Sequence, residues 1–188
     1  MRIQSLFRAG AMIAASIAVS TGLAGAQDDA AEGARRVANG ERFGAWTVQC
    51  EAIAVNETLC VLSQRLVRES DGAFLAELLA FSAADSGSRF IAARVPIGAH
   101  FPSGFAIKPV DAEGTDGQKE FVWQSCSREI CEALVELSAE EVATLESADP
   151  LIGGYRPAIT AQPLLFRLSV LGLEEGLTAL GGGGATAR

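Results

Sequence analysis

Trp46-Thr47-Val48-Gln49-Cys50 sets apolar side chains at every second position, with Thr47 and Gln49 between them, the period of a strand buried on one face and wet on the other. The same alternation runs through Leu164, Phe166, Leu168 and Val170, with Arg167 and Ser169 between. Further out it recurs at 59–67, 74–81, 90–95, 120–126 and 132–137, and Gly, Pro, Asn or Asp punctuate the gaps. Seven or more short strands with turns between them predict an all-β fold, a β-sandwich or a barrel-like sheet. One or two short peripheral helices are expected beside it. Ser138 followed three residues on by Glu141 forms a capping box, Val142 and Leu145 supply an apolar stripe, and Asp149 and Pro150 stop the helix. Leu173, Leu177 and Leu180 fall at helical spacing in a second segment, 172–180.

Composition supports a packed core, since 49% of the residues are hydrophobic and 20% charged. The formal charge of −8, from 15 Lys plus Arg against 23 Asp plus Glu, disfavours nucleic acid, whose recognition needs clustered cations. Anionic membrane surfaces are disfavoured by the same argument.

The first residues read as a secretory signal peptide. Arg2 and Arg8 bracket a positive segment, the 15 residues from Ala9 through Leu23 carry no charge, and Ala24-Gly25-Ala26 supplies small residues for cleavage. The apolar run is shorter than the roughly 20 residues a spanning helix needs. Removal of 1–26 would take Arg2 and Arg8 with it, moving the charge from −8 to −10. A mobile lead-in is expected at 27–40, a single folded domain at 41–180, and a disordered Gly-rich tail at 181–188. No integral membrane segment is expected once the leader is cleaved.

Export makes the four cysteines a disulfide framework. Of the three possible pairings, Cys50 with Cys60 and Cys126 with Cys131 are favoured, because each pair flanks a short polar segment between strand-like runs. Four residues separate Cys126 from Cys131, a common hairpin length, whereas the nine between Cys50 and Cys60, Asn56 among them, suit a longer loop. Zinc fits these spacings poorly with one His in the chain, and no C-x-x-C serves thiol exchange. The four cysteines are the only site residues assigned, as staples; no catalytic, cofactor or metal residue is.

Four segments together resemble a known family: FGAWTVQCE at 43–51, VPIGAHFPSGFAIKPVD at 95–111, the C-x4-C-E-A run at 126–133 and LLFRLSVLGLEEGLTAL at 164–180. Their order, with the cysteines and the leader, is similar to the invasion-associated locus B family of exported bacterial proteins, found chiefly among alphaproteobacteria. The resemblance implies an extracytoplasmic all-β domain in a family named for host-cell invasion, with relatives in free-living bacteria, and it supplies no catalytic residues to carry over. The matching positions, Phe43, Gly44, Trp46, Cys50, Cys60, Pro96, Gly98, Gly104, Asp111, Cys126 and Cys131, are structural ones. The chain departs from the pattern in a long apolar-acidic helical segment after Cys131 and in its Gly-rich tail.

Sharper chemistry is weighed against simpler roles. His100 is the single His and sits in a loop-like stretch; without a G-x-S-x-G elbow or a free thiol it reads as a surface or packing residue. Asp111, Glu113 and Asp116 faintly resemble a calcium loop, but the spacing is wrong and the terminal Glu is missing, so a solvated hairpin tip is expected. Glu136, Glu140, Glu141 and Glu146 include two first-turn residues already favoured by the helix dipole. Trp46 and Trp123 read as core, with a sugar-stacking platform as the distant alternative. The expectation is an exported periplasmic, non-enzymatic binding or accessory protein with no cofactor, an envelope or host protein as its unidentified partner, and outer-membrane association or secretion left open. An envelope hydrolase using an acidic pair and a surface-exposed adhesin-like factor are the alternatives.

Overall fold

A computed structural model describes residues 37–55, 57–83 and 86–182. The expected signal peptide (1–26), most of the lead-in and residues 183–188 of the tail lie outside the described residues. Ten strands are described: β1 (Arg42–Phe43), β2 (Trp46–Ala54), β3 (Glu57–Val67), β4 (Phe74–Ser82), β5 (Arg89–Pro96), β6 (Phe105–Pro109), β7 (Lys119–Cys126), β8 (Ile130–Leu137), β9 (Leu151–Tyr155) and β10 (Leu164–Leu168). They form one antiparallel sheet in the order β1-β2-β3-β4-β5-β8-β7-β6-β9-β10. Helix α1 (Ala139–Ser147) links β8 to β9, and α2 (Leu173–Gly182) follows β10 and packs across β1–β4.

Of the two architectures expected, the barrel-like one is formed, as a half-barrel. The sheet curls until the turn after β1 meets the chain leaving β10, and the two ends join through single bonds in place of a ladder. Ala45 N donates to Leu171 O at 3.0 Å, and Gln64 Nε2 bridges Ala45 O at 3.2 Å and Ser169 O at 2.9 Å. The core fills the inside of the curl with Trp46, Val48, Leu62, Leu78, Ile91, Phe105, Phe121, Phe166, Leu173 and Leu177 among others. Folding begins before the expected boundary at Glu41, because Gly40 N donates to Val48 O and Asn39 Oδ1 accepts from Cys50 N. Three strands absent from the sequence reading are β1, β6 and β9.

Where β3 passes β4 the register shifts between Leu66↔Ala76 and Val67↔Phe74. Leu75 is the extra residue of a bulge, and the bulge reverses which side chain faces in. Leu75 joins the core while the Phe74 ring lies under the Arg65 guanidinium, 4.5 Å from its carbon. The buried Tyr155 hydroxyl donates to Leu75 O at 3.4 Å and pins the bulge, and burial pushes the phenol's pKa up.

Both disulfides are the favoured local ones, Cys50–Cys60 and Cys126–Cys131, and each joins directly opposite residues of a hairpin. Cys126–Cys131 encloses so short a loop that Cys126→Ser with Cys131→Ser is expected to cost about 1 to 3 kcal/mol and leave the fold recognisable by circular dichroism. Either single variant should fare worse, since the remaining thiol can exchange with the Cys50–Cys60 bridge. Equal stability of single and double variants under non-reducing denaturation would remove the exchange argument.

Candidate interaction surface

Beyond the Cys50–Cys60 bridge the chain is not the loop expected from its nine residues. β2 continues to Ala54 and β3 starts at Glu57, with Glu51 opposite Leu59 and Ala52 opposite Thr58. β-branched and apolar residues at Ile53, Val55 and Thr58 favour extended pairing over an irregular loop. The result is a two-stranded arm, clamped at its base, in which every described residue from 51 to 59 is exposed. Val55 at its tip is 92% exposed and Ile53 54%. Nothing in the core uses these side chains.

The second feature is the outer face of the sheet, where registry stacks side chains in three rows. The first row is charged and alternates in sign: Arg65 opposite Glu77, Glu77 opposite Arg94, Arg94 opposite Glu132. Arg94 Nε donates to Glu132 at 2.7 Å and its guanidinium stands 3.9 Å from Glu77, which also accepts from the buried Ser63 hydroxyl at 3.4 Å. Two residues along, the second row is Ser63, Leu79, Ala92, Leu134 and Val122. The third holds Phe81 and Phe90, stacked with centroids 5.5 Å apart, and then Glu136. A depression of about 610 Å³ lies over the charged row, and a groove of about 1030 Å³ has Leu79, Phe81, Ala92 and Leu134 in its wall together with Leu177 and Leu180 of α2. The middle of the second row is already covered within the chain: Leu79, Ala92 and Ser63 are 8%, 3% and 3% exposed, whereas Val122 at its end is 68% exposed.

A family model described as "Invasion associated locus B (IalB) protein" matches residues 46–181, from the start of β2 through almost all of α2. The chain belongs to the IalB family. A solved structure, the crystal structure of invasion associated protein B from Bartonella henselae, is similar with a TM-score of 0.58 and 18% identity, over 73% of this chain and 91% of that chain. At that identity the likeness speaks for the fold. No curated protein matches.

In this IalB chain the residues singled out for chemistry have structural employment. His100 Nδ1 lies 2.7 Å from Ser103 Oγ in the short 3-10 turn Phe101–Ser103. The acidic loop between β6 and β7 folds around a cation of its own, because Lys108 Nζ donates to Ala112 O at 3.1 Å and Gly114 O at 2.8 Å. No group of three or more possible metal ligands occurs among the described residues. Glu146 accepts from Glu174 N at 3.2 Å, at the start of α2, and Glu136 sits at the end of the aromatic row. Trp46 is fully buried, while Trp123 is partly buried and stacks flat on Phe101, centroids 4.9 Å apart.

Glu141 completes the expected capping box: Ser138 Oγ accepts from Glu141 N, and the Glu141 carboxylate accepts from Ser138 N. It also pairs with Lys119 of β7. The hydrogen bond from the Lys119 ammonium, followed by that from the Ser138 backbone, holds its carboxyl at about 2, against an ordinary 4.5. A depressed folded-state value contributes stability that is complete above 4.5 and lost as pH falls towards 2. The carboxylate is 41% exposed, so solvent screening holds the contribution to about 0.5 to 1 kcal/mol. Glu141→Gln is expected to lose that much at pH 7 and to flatten the acid limb of the stability profile, measured by urea denaturation at several pH values. An unchanged acid limb would assign the acid sensitivity elsewhere.

Proposed function

We propose that this chain is an exported, non-enzymatic binding or accessory protein of the bacterial envelope, working in the periplasm through protein contacts, with the β2–β3 arm as its contact element. The observation that carries the reading is the clamped arm with Val55 and Ile53 exposed. Exposed apolar side chains on a rigid projection gain free energy when a partner covers them, and a clamp at the base lowers the ordering cost of that contact. Export is supported by the leader-like sequence at 1–26 and by two disulfides, which persist in oxidising compartments. The arm carries Glu51 and Glu57 and no cation, so a partner with a positive rim around an apolar cleft is favoured over an anionic lipid surface.

A photo-crosslinking residue at position 55 in living cells should give one discrete adduct, and Ile53→Ser with crosslinker retained at 55 should reduce it, with unchanged folding. No adduct at 55, together with no envelope phenotype on deletion, would overturn the reading. Protease treatment of intact cells separates the periplasmic location from a surface-exposed adhesin-like one, in which the chain would be cut.

A further inference from the structure

A formal charge of −8 puts carboxylates in excess over the chain, yet β6, β9 and β10 contain no acidic residue. Their outward side chains carry cations instead. Lys108 opposes Ile152, Ile152 opposes Arg167, and Arg156 follows directly on β9. Among the described residues none of these three cations forms an ion pair. The carboxylate that registry brings closest, Glu120 opposite Ala106, accepts from Gln118 Nε2 at 3.0 Å. Lys108 and Arg156 both line a hollow of about 230 Å³, with Ser103, Ala106, Gly154 and Leu165 among its other walls. We propose that this hollow binds an apolar group ending in a carboxylate, with Arg156 and Ser103 at the carboxylate end.

Strand direction sets the two lining cations at opposite ends. Lys108 opposes Ile152 near the start of β9, whereas Arg156 lies past Tyr155, which opposes Phe105 at the start of β6. From 152 to 156 an extended chain advances about 13 Å. Ser103, two residues before β6, stands at the Arg156 end. Arg156 Nη1 donates to Ala161 O at 3.2 Å, which leaves the Nε and Nη2 edge of the fork for a planar bidentate acceptor such as a carboxylate. His100 N donates to Arg156 O at 2.8 Å and ties this residue to the turn that carries Ser103. Lys108 Nζ already donates to Ala112 O and Gly114 O, so it contributes its positive field and its apolar stem, not a second anion clamp. The floor between the two ends is uncharged. Gly154 has no side chain, and Leu165 leans over it from β10, since a Cβ there would stand 2.6 Å from Leu165 Cδ2. Ala106 and Ile152 complete the floor. This face is open to solvent: Leu165 is 66% exposed, Ser103 and Pro163 are exposed, and the buried lining residues Ile107 and Tyr155 belong to the core on the other side of the sheet. An apolar floor with a few polar groups converging at one end is the make-up of a small-ligand site. A bare inorganic anion would meet the cations and leave that floor wet.

Titration of the isotope-labelled full chain, both disulfides formed, with phenylacetate tests the proposal by amide nuclear magnetic resonance. Saturable shifts are expected at Ala106, Gly154 and Arg156, with a dissociation constant in the millimolar range or tighter. Phenylacetamide keeps the shape without the charge, and inorganic phosphate keeps charge without an apolar body. Each should bind about tenfold more weakly than phenylacetate, or not at all. Arg156→Gln should weaken phenylacetate about tenfold or more, and Arg156→Lys nearly as much, because an ammonium keeps the charge and loses the fork. Ala106→Leu fills the floor with every cation in place and should also abolish binding. Arg128→Gln removes an exposed cation of the 126–131 hairpin and should change nothing. The spectra of the variants establish that each is folded. An acetylated tripeptide ending in phenylalanine separates the two sources of such a carboxylate: binding tighter than phenylacetate and lost on C-terminal amidation assigns a protein terminus, and weaker binding assigns a free small molecule. Absence of saturable shifts up to about 50 mM phenylacetate overturns the proposal, as does equal binding of phenylacetamide, or binding indifferent to both Arg156→Gln and Ala106→Leu.

Discussion

Gly44→Ala is expected to lower the stability of the folded chain by about 2 to 5 kcal/mol, the sum of a left-handed backbone cost of roughly 1 to 2 and an overpacking cost of about 1 to 3. The position has φ +54, and a Cβ placed there would stand 2.1 Å from Leu171 O and 2.6 Å from Leu171 C. Both obstacles are backbone, so no rotamer relieves them. Gly172 is the reciprocal case, with φ +85 and a Cβ that would stand 2.4 Å from Phe43 C. The two glycines let the turn after β1 and the chain after β10 touch, and that touch closes the half-barrel. Gly172→Ala should therefore cost a similar amount, and the double variant less than the two singles combined, because a seam already opened cannot be opened again. Urea denaturation of the four species measures the coupling. Strict additivity, or a Gly44→Ala cost under about 0.5 kcal/mol, would mean the seam is not a structural unit.

The elements legible in the sequence are those whose burial is one-sided. β2 alternates because the inner residues Trp46 and Val48 are buried while Thr47 and Gln49 meet solvent, and the capping box of α1 is written in Ser138 and Glu141 alone. β9 is illegible for a physical reason. Its residues 153 and 154 are Gly because a Cβ at Gly153 would stand 2.7 Å from Leu168 Cδ2 and at Gly154 2.6 Å from Leu165 Cδ2. The volume of that strand's side chains is supplied by its neighbour, so the period-two signal is written in β10. β6 is short and ends in Pro109, and it follows a stretch of Gly and Pro that signals a loop. β1 is two residues long, below any periodicity.

The interaction surface was hidden more deeply. Arg65, Glu77, Arg94 and Glu132 belong to four strands and form no motif; registry alone aligns them. One residue of slip in any strand would turn its member into the core. The exposed arm had a local signal, the apolar Ile53, Val55 and Leu59 between two bridged cysteines, but only the continuing ladder, with its register shift between Ala52 and Ala54, shows that the segment is a two-stranded projection. The cysteines, by contrast, were readable because a disulfide across a hairpin depends on local spacing.

Trp46→Ala is expected to cost about 3 to 5 kcal/mol, the range for truncating a large aromatic side chain in a core. Trp46 is fully buried at the first position of β2 and its Nε1 donates to Val170 O at 3.4 Å. Its side chain thus joins the first long strand of the sheet to the segment that leaves the last one, on the same seam that Gly44 and Gly172 close by backbone contact. Truncation removes the volume and also leaves Val170 O without that donor. Trp46→Phe separates these effects: it keeps most of the packing and loses the hydrogen bond, so about 1 to 2 kcal/mol is expected. Chemical denaturation followed by far-ultraviolet circular dichroism measures both, and Trp123 remains as a fluorescent reporter on the far side of the sheet order. If Trp46→Ala cost less than about 1 kcal/mol, the seam would be held by α2 and its leucines alone, and closure of the half-barrel would not depend on the strand whose alternation reveals the fold.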